Sequence, residues 1–361
     1  MFLQHLSVVN YKNIAEAELD FCAGLNCFVG HNGAGKTNLC DAVYYLAFCK
    51  SRLSSQENQN LRHGQPYMML QGQFMRGADH ETIAVGYKSG SRKSFKRGGK
   101  EYTKFSDHIG LIPLVSIAPE DQDLVSEGSA ARRKFVDGVI AQSDRQYLER
   151  LIEYEYYLAQ RGALLRNEVS DALMYALCEE KMSVAADFIY QKRKQFIAEF
   201  EPVFLQYFCR LAPESEIPQL AYKSHLNDGP LLEQLERLRN RDLALGFTSH
   251  GIHKDDLEMQ LSGYPIKQVG SQGQTKTWLI ALKLAQFHFL KMKSGLTPLL
   301  LLDDVFDKLD ASRVEAIVRL VSGGEFGQIF MTDTNREHLD ELVGRLQVES
   351  RIYEVEEGRV L

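Results

Sequence analysis

The eight residues GHNGAGKT, Gly30 to Thr37, follow an apolar run, Leu25–Val29, and precede a segment of helical periodicity, Asn38–Phe48. The pattern G-x-x-x-x-G-K-[ST] in that setting specifies a strand, a turn through glycines and the start of a helix. The glycines let successive backbone N–H groups converge on one anion, and the helix N-terminus adds partial positive charge. This is a phosphate loop. Its expected nucleotide-binding set is Gly30, Asn32, Gly33, Gly35, Lys36, Thr37 and Asn38, with Lys36 reaching the β- and γ-phosphates of ATP and the Thr37 hydroxyl ligating Mg2+. Average residue frequencies produce the bare pattern by chance in about one chain of this length in a hundred, so a functionless turn is a poor account of it.

Such a loop needs a carboxylate on a neighbouring strand to hold the metal. LLLLDD, Leu299 to Asp304, supplies one: four successive leucines suit a central parallel strand covered on both faces. Asp303, at the strand's C-terminal end, is expected to hold magnesium through water. Asp304, one residue on, is placed to polarise the attacking water. Taken alone, the two aspartates also fit a helix cap after a strand; beside the phosphate loop, the metal role is the stronger reading. About 265 residues separate Thr37 from Asp303, so one site is assembled from both ends of the chain around an insertion.

That insertion is legible. Residues 1 to about 110 read as strand-rich, with alternation in Leu3–Val9, Ala17–Phe21, Met69–Phe74 and Thr82–Tyr87 and a basic, glycine-rich hairpin at Gly90–Lys100. From about 120 to 245, Arg132–Arg166 and Ser170–Leu211 carry helical periodicity and many charges at i, i+4 spacing, as in two long helices packed as a hairpin. Tyr154, Tyr156 and Tyr157 there fit a helix–helix seam better than a stacking surface. Strands return at Leu257–Leu261 and Gln328–Thr332, flanking a helix, Ser271–Lys293, that is apolar nearly all round. The expected class is α/β, a phosphate-loop ATPase head of mixed sheet with a mainly helical second lobe. The expected division is 1–115 with 295–361 for the nucleotide lobe, and 116–294 for the helical lobe.

Composition narrows the setting. The 361 residues are too many for one ordinary compact domain, and no stretch approaches the roughly 20 apolar residues of a membrane helix. MFLQHLSVVNYKN lacks the features of a signal peptide, and six cysteines without a C-x-x-C pair read as small core residues, so a reducing cytoplasm is expected. The net charge of −6 means that any nucleic acid must be held by local basic patches.

GSQGQTKTW, Gly270 to Trp278, opens the apolar helix with a serine and glycines, a second anion-binding helix end on a chain that already has one. It suits an ATP held by another subunit. The order of phosphate loop, helical insertion, SxGQ helix, LLLLDD strand and VFDKLD loop resembles the ABC-type ATPase heads of the chromosome-structure and recombination families. Four segments, NCFVGHNGAGKTNLCDAVYYL, IAPEDQDLVSEGSAARRKFVDGVI, YLAQRGALLR and HGIHKDDLEM, resemble the RecF family of bacterial recombination mediators across the whole chain. No long coiled coil is present, unlike the larger relatives. The resemblance implies that Lys36, Thr37 and Asp303 hold nucleotide and metal, that Asp304 acts on water, and that Ser271, Gly273 and Gln274 touch the γ-phosphate across an ATP-dependent homodimer. Asp307 and Asp310 would line that interface. It also implies binding to DNA, cooperation with RecR and RecO, and help in loading RecA at replication gaps.

Some positions depart from many ABC-type heads. Pro119, Glu120 and Asp121 stand where glutamine is common, and Thr332, Asp333 and Thr334 stand where a histidine is usual. Asp304 is one methylene shorter than glutamate. Slow hydrolysis is the expectation, with ATP acting as a dimerisation switch.

For DNA, the hairpin offers Arg92, Lys93, Lys96, Arg97 and Lys100, with Phe95 available for stacking. An equally good account is a solvated loop whose lysines protect a sheet edge. Arg132, Arg133 and Lys134 form a second basic cluster, and Lys192, Arg193 and Lys194 read as a solvated helix face. Two other classes share parts of this pattern. A transporter motor subunit would share the phosphate loop and signature but not the PED and GIHKDDL segments. A metabolic kinase would have no use for a signature at Ser271.

Overall fold

The computed structural model describes residues 1–212, 216–305, 325–346 and 348–361; Asp307 and Asp310 lie outside the described residues. In chain order the strands are β1 (Phe2–Tyr11), β2 (Ile14–Asp20), β3 (Leu25–Val29), β4 (Tyr67–Arg76), β5 (Asp79–Lys88), β6 (Ser94–Arg97), β7 (Lys100–Glu101) and β8 (Leu114–Ile117). They continue as β9 (Pro218–Lys223), β10 (Asp256–Leu261), β11 (Tyr264–Pro265), β12 (Leu299–Leu302), β13 (Ile329–Asp333), β14 (Ser350–Glu356) and β15 (Arg359–Val360). The chain resolves into two compact units, residues 1–121 with 286–361 and residues 122–285. The second boundary runs through the helix Gln272–Ser294.

Two sheets build the first unit. One is antiparallel, in the order β2-β1-β4-β5-β6-β7, and its strands alternate buried and exposed residues because only one face meets the core. Val8 lies opposite both Ala17 and Leu70, which fixes the register of that face. The other sheet runs β15-β14-β3-β13-β12-β8, parallel throughout except for β15. All five residues of β3, all four of β8 and all four of β12 are buried, as parallel strands covered on both faces require. The helix Lys36–Phe48 packs against strands of both sheets and buries most of its length. Gln328 ties the layers together, its buried amide bonding the Leu3 N–H, the Leu3 carbonyl and the Cys22 carbonyl. β8 and β14 were not anticipated from the sequence: β8 is too short to show a period.

The second unit is mainly helical. Its long elements are Ser129–Ala141, Arg145–Arg166, Ala172–Leu211 and Leu231–Leu245, with a small sheet β11-β10-β9. Asp144 and Asp171 cap the two longest by accepting from backbone N–H groups of the first turn. Those two helices are clamped by Arg161, fully buried, which donates to Glu179 (3.0 Å), Asp242 (2.7 Å) and Thr248 (2.9 Å). A second buried cluster corrects an expectation. Arg193 is not on a solvated face but buried, donating to Asp137, Asp255 and the Ile252 carbonyl; three successive charges on a helix cannot all point outward at 100° per residue. Tyr154 is buried against His253, as a seam residue should be, whereas Tyr156 is exposed. Five cysteines are buried, Cys209 is exposed, and all six are free. No described helix is long and apolar enough to cross a membrane.

Candidate functional site

The phosphate loop leaves the C-terminal end of β3 and passes so close to β14 that a Cβ on Gly30 would lie 2.1 Å from the Val355 carbonyl oxygen. Gly33 and Gly35 take left-handed φ values of 80° and 119°, and the helix begins at Lys36. Asn13, in the turn between β1 and β2, braces the loop: its amide donates to the Gly33 and Ala34 carbonyls and its oxygen accepts from Asn38 (2.8 Å). Lys36 Nζ, largely buried, folds over the loop onto the Gly30 (2.9 Å) and His31 (3.1 Å) carbonyls.

Asp303 directly follows β12, which β13 separates from β3. The two ends of the chain nevertheless meet: Thr37 Oγ1 donates to Asp303 Oδ1 at 3.0 Å. Thr332 Oγ1 also donates to Asp303 Oδ1 (2.8 Å) and accepts the backbone N–H of Asp304 (2.9 Å). Asp304 sits at a left-handed φ of 49°. Burial, and then the charge of Asp303, push its carboxyl pKa above the ordinary value, with Lys36 pulling the other way.

Two neighbours of this site were missed by the sequence reading. Arg52 places one guanidinium nitrogen 2.8 Å from Asp303 Oδ2 and another 3.0 Å from Glu120 of the PED segment. Asp41, fully buried in the loop's own helix, accepts from Tyr11, Ser51 and the Arg52 backbone N–H, and pairs with Lys12 at 2.6 Å. It pins the segment that carries Arg52. A lone carboxylate among Leu39, Cys40, Ala42 and Val43 was the signal that could have exposed it, since a buried charge requires partners.

The oxygens present fit magnesium. Mg2+ takes octahedral oxygen ligands at 2.0–2.1 Å, which sets adjacent ligands about 2.9 Å apart, and it uses one or two carboxylates plus phosphate. Thr37 Oγ1 and Asp303 Oδ1 are oxygens of this kind, hydrogen-bonded at 3.0 Å; the hydroxyl would ligate the ion and the carboxylate would hold one of its waters.

Ser271, Gly273 and Gln274 lie in the helical unit. Ser271 and Gln274 form a reciprocal cap: the Ser271 N–H donates to Gln274 Oε1 (2.8 Å) and the Gln274 N–H to Ser271 Oγ (3.2 Å). Ser271 is exposed, and Gln274 also bonds Glu216 (3.0 Å).

The basic hairpin differs from expectation. Phe95 is fully buried, facing Val85 across β5–β6, so it cannot stack on a base. Lys93 turns inward to the Cys49 carbonyl and Glu57, with Tyr45 and Phe105 rings beside its ammonium. Arg97 pairs with Glu81. Arg92, Lys96 and Lys100 remain exposed. Of the second basic cluster, Arg132 is buried against Asp256 and Arg133 bonds the Asp255 carbonyl.

A phosphate loop on a parallel sheet, an aspartate after another strand of that sheet hydrogen-bonded to the loop's helix, and an antiparallel sheet over the same helix define an ABC-type ATPase head. Within that class the chain belongs to the RecF family. Residues 2–359 match the family described as RecF/RecN/SMC N terminal domain. The chain is 50% identical to the DNA replication and repair protein RecF of Phocaeicola vulgatus, over 100% of this chain and 98% of the relative. It is also 50% identical to that of Bacteroides thetaiotaomicron, over 99% and 98%. A solved structure of the recombination mediator protein RecF with ATP, in the RecFOR pathway, matches with a TM-score of 0.89 at 26% identity, over 100% and 97%. The Smc head domain of Pyrococcus furiosus, at 15% identity and a TM-score of 0.60, shares the fold.

Proposed function

We propose that this chain is an ATP-switched DNA-repair protein of the cytoplasm. The observation that carries the reading is the direct contact of Thr37 with Asp303. It joins a phosphate-loop hydroxyl to a buried carboxylate 266 residues away in the sequence, at the end of a strand of the same sheet as the loop.

In this reading Lys36 and the loop N–H groups hold the phosphates of ATP, and Thr37 and Asp303 hold magnesium. When bound, the metal neutralises charge on the β- and γ-phosphates. Lys36 exchanges its two loop carbonyls for phosphate oxygens. Asp304 orients water and takes up its proton; its short side chain keeps turnover slow. Ser271, Gly273 and Gln274 of a second copy close the site, so that ATP drives homodimerisation on DNA and hydrolysis releases it. The RecFOR pathway named for the ATP-bound mediator supports RecR and RecO as partners, and the resemblance to the RecF family extends the reading to RecA loading at gaps.

The test is sizing of the protein with and without ATP, magnesium and DNA, for wild type, Lys36→Ala and Ser271→Arg. Wild type should dimerise with ATP and neither variant should. Normal ATP-driven dimers of both variants would sink the two-copy site, and rapid DNA-independent turnover by wild type would sink the switch.

A further inference from the structure

The hairpin named for DNA loses Lys93 and Arg97 to internal ion pairs and Phe95 to the core. The helical unit spends most of its interior arginines in the same way: Arg132, Arg161, Arg193 and Arg239 are all paired with acids. Against that background three cations stand out. Arg237 and Arg241, one turn apart on the exposed face of Leu231–Leu245, and Lys254, exposed after that helix, form no ion pair among the described residues.

They surround aromatic groups. His225 and His250 stack with ring centroids 4.2 Å apart and planes inclined by 25°. His225 Nδ1 accepts the Gly251 N–H, so its neutral form carries the proton on Nε2. His250 turns Nδ1 to Ser249. Burial, then His225, hold the His250 pKa below its ordinary value; Asp242 opposes this, and Arg241 and Arg237 add to it. Lys254 lies over the ring of Phe247, 5.2 Å from its centroid, and Phe247 is 46% exposed. The nearby acids are largely spent: Asp242 on Arg161 and the Ser249 N–H, Asp255 on Arg193 and Tyr222. Glu233, one turn before Arg237, and Glu236, next to it, are exposed acids of the same helix, and neither forms an ion pair among the described residues.

We propose that this face is a DNA contact belonging to the helical unit, in which Arg237, Arg241 and Lys254 bind backbone phosphates and Phe247 stacks on an unpaired base. Cations without acid partners beside one exposed aromatic ring, Phe247, suit a single strand, and the cations alone serve a duplex. The inference rests on the DNA-binding reading and adds its location.

The test is titration of the full chain, with ATP and magnesium, against a labelled single strand and a labelled duplex from 50 to 200 mM salt. The variants are Arg237→Ala/Arg241→Ala/Lys254→Ala, Phe247→Ala and, as a comparison, Lys96→Ala/Lys100→Ala. Three lost phosphate contacts should reduce the slope of log affinity on log salt by about 2.7 for duplex and about 2 for single strand. Phe247→Ala should weaken single-strand binding about tenfold and leave duplex binding unchanged. Arg237→Lys/Arg241→Lys should keep the wild-type slope, and melting temperatures should be unaltered because the residues are exposed. Wild-type affinity and slope in the triple alanine variant would overturn this location while leaving the DNA-binding reading intact. Absence of DNA binding by wild type would overturn both.

Discussion

Arg52 offers the sharpest test of the nucleotide site. Its guanidinium, 15% exposed, faces the Asp303 carboxylate, 3% exposed, at 2.8 Å. Removing one partner of a fully buried pair costs about 3–5 kcal/mol, because the other charge is left unpaired. Two hydroxyl donors stay on Asp303 Oδ1, and Arg52 retains some contact with water, so Arg52→Ala should cost about 2–3 kcal/mol in the nucleotide-free protein. A magnesium ion on Asp303 would supply the missing positive charge. With saturating ATP and magnesium the deficit should therefore shrink below about 1 kcal/mol. By linkage the variant must then bind the magnesium nucleotide tighter, by about thirtyfold for 2 kcal/mol recovered. Urea unfolding with and without ligand, paired with direct binding at varied magnesium, measures both sides of that relation. A deficit of equal size in the two conditions, or weaker magnesium-nucleotide binding by the variant, would refute the view that Arg52 holds the place of the metal's charge.

Other outcomes follow from the same geometry. His108 is buried between Tyr102 and the Leu46 carbonyl, and burial pulls its pKa down to about 4. The unfolded chain takes up that proton near 6.5 and the folded protein does not until about 4, so stability falls as pH drops through this window, by about 3 kcal/mol in all. His108→Gln should flatten that part of the stability–pH curve in chemical unfolding. Gly30→Ala should abolish nucleotide binding and loosen β14, because the Val355 carbonyl occupies the space of the new methyl; equilibrium dialysis with ATP would show it. Arg161→Met should destabilise the helical unit by about 3–5 kcal/mol by leaving Asp242 without a cation, whereas Glu179 keeps Arg239, and Arg161→Met/Asp242→Leu should recover most of that loss. Thermal unfolding of the two variants compares them directly.

The sequence disclosed the elements whose constraints are local. A glycine loop between a strand and a helix has one meaning, and a run of four leucines ending in aspartates has few. The long helices were legible from their period. What stayed hidden depended on tertiary contact. Asn13 and Asp41 act through atoms that no spacing rule relates to the loop. Arg52 reads as one more basic residue in a polar stretch until Asp303 is placed beside it. The hairpin misled for the opposite reason: a basic tip with a phenylalanine has a nucleic-acid composition, but strand alternation turned Phe95 to the core and Glu57 drew Lys93 inward. Charge counts report what a segment carries, and neighbours decide what it has left to offer.

The parallel sheet also has a temporal meaning. β3 takes both of its partners, β13 and β14, from the last part of the chain, and β8 pairs with β12. While a ribosome is still translating the helical unit, the phosphate loop has been made, but the strand beneath it has two bare edges and Thr37 lacks Asp303. At about 5–20 residues per second that interval lasts roughly 10–50 s. A nascent chain thus carries an unfinished grip, and the nucleotide can reward only a polypeptide that has been synthesised through β12, β13 and β14.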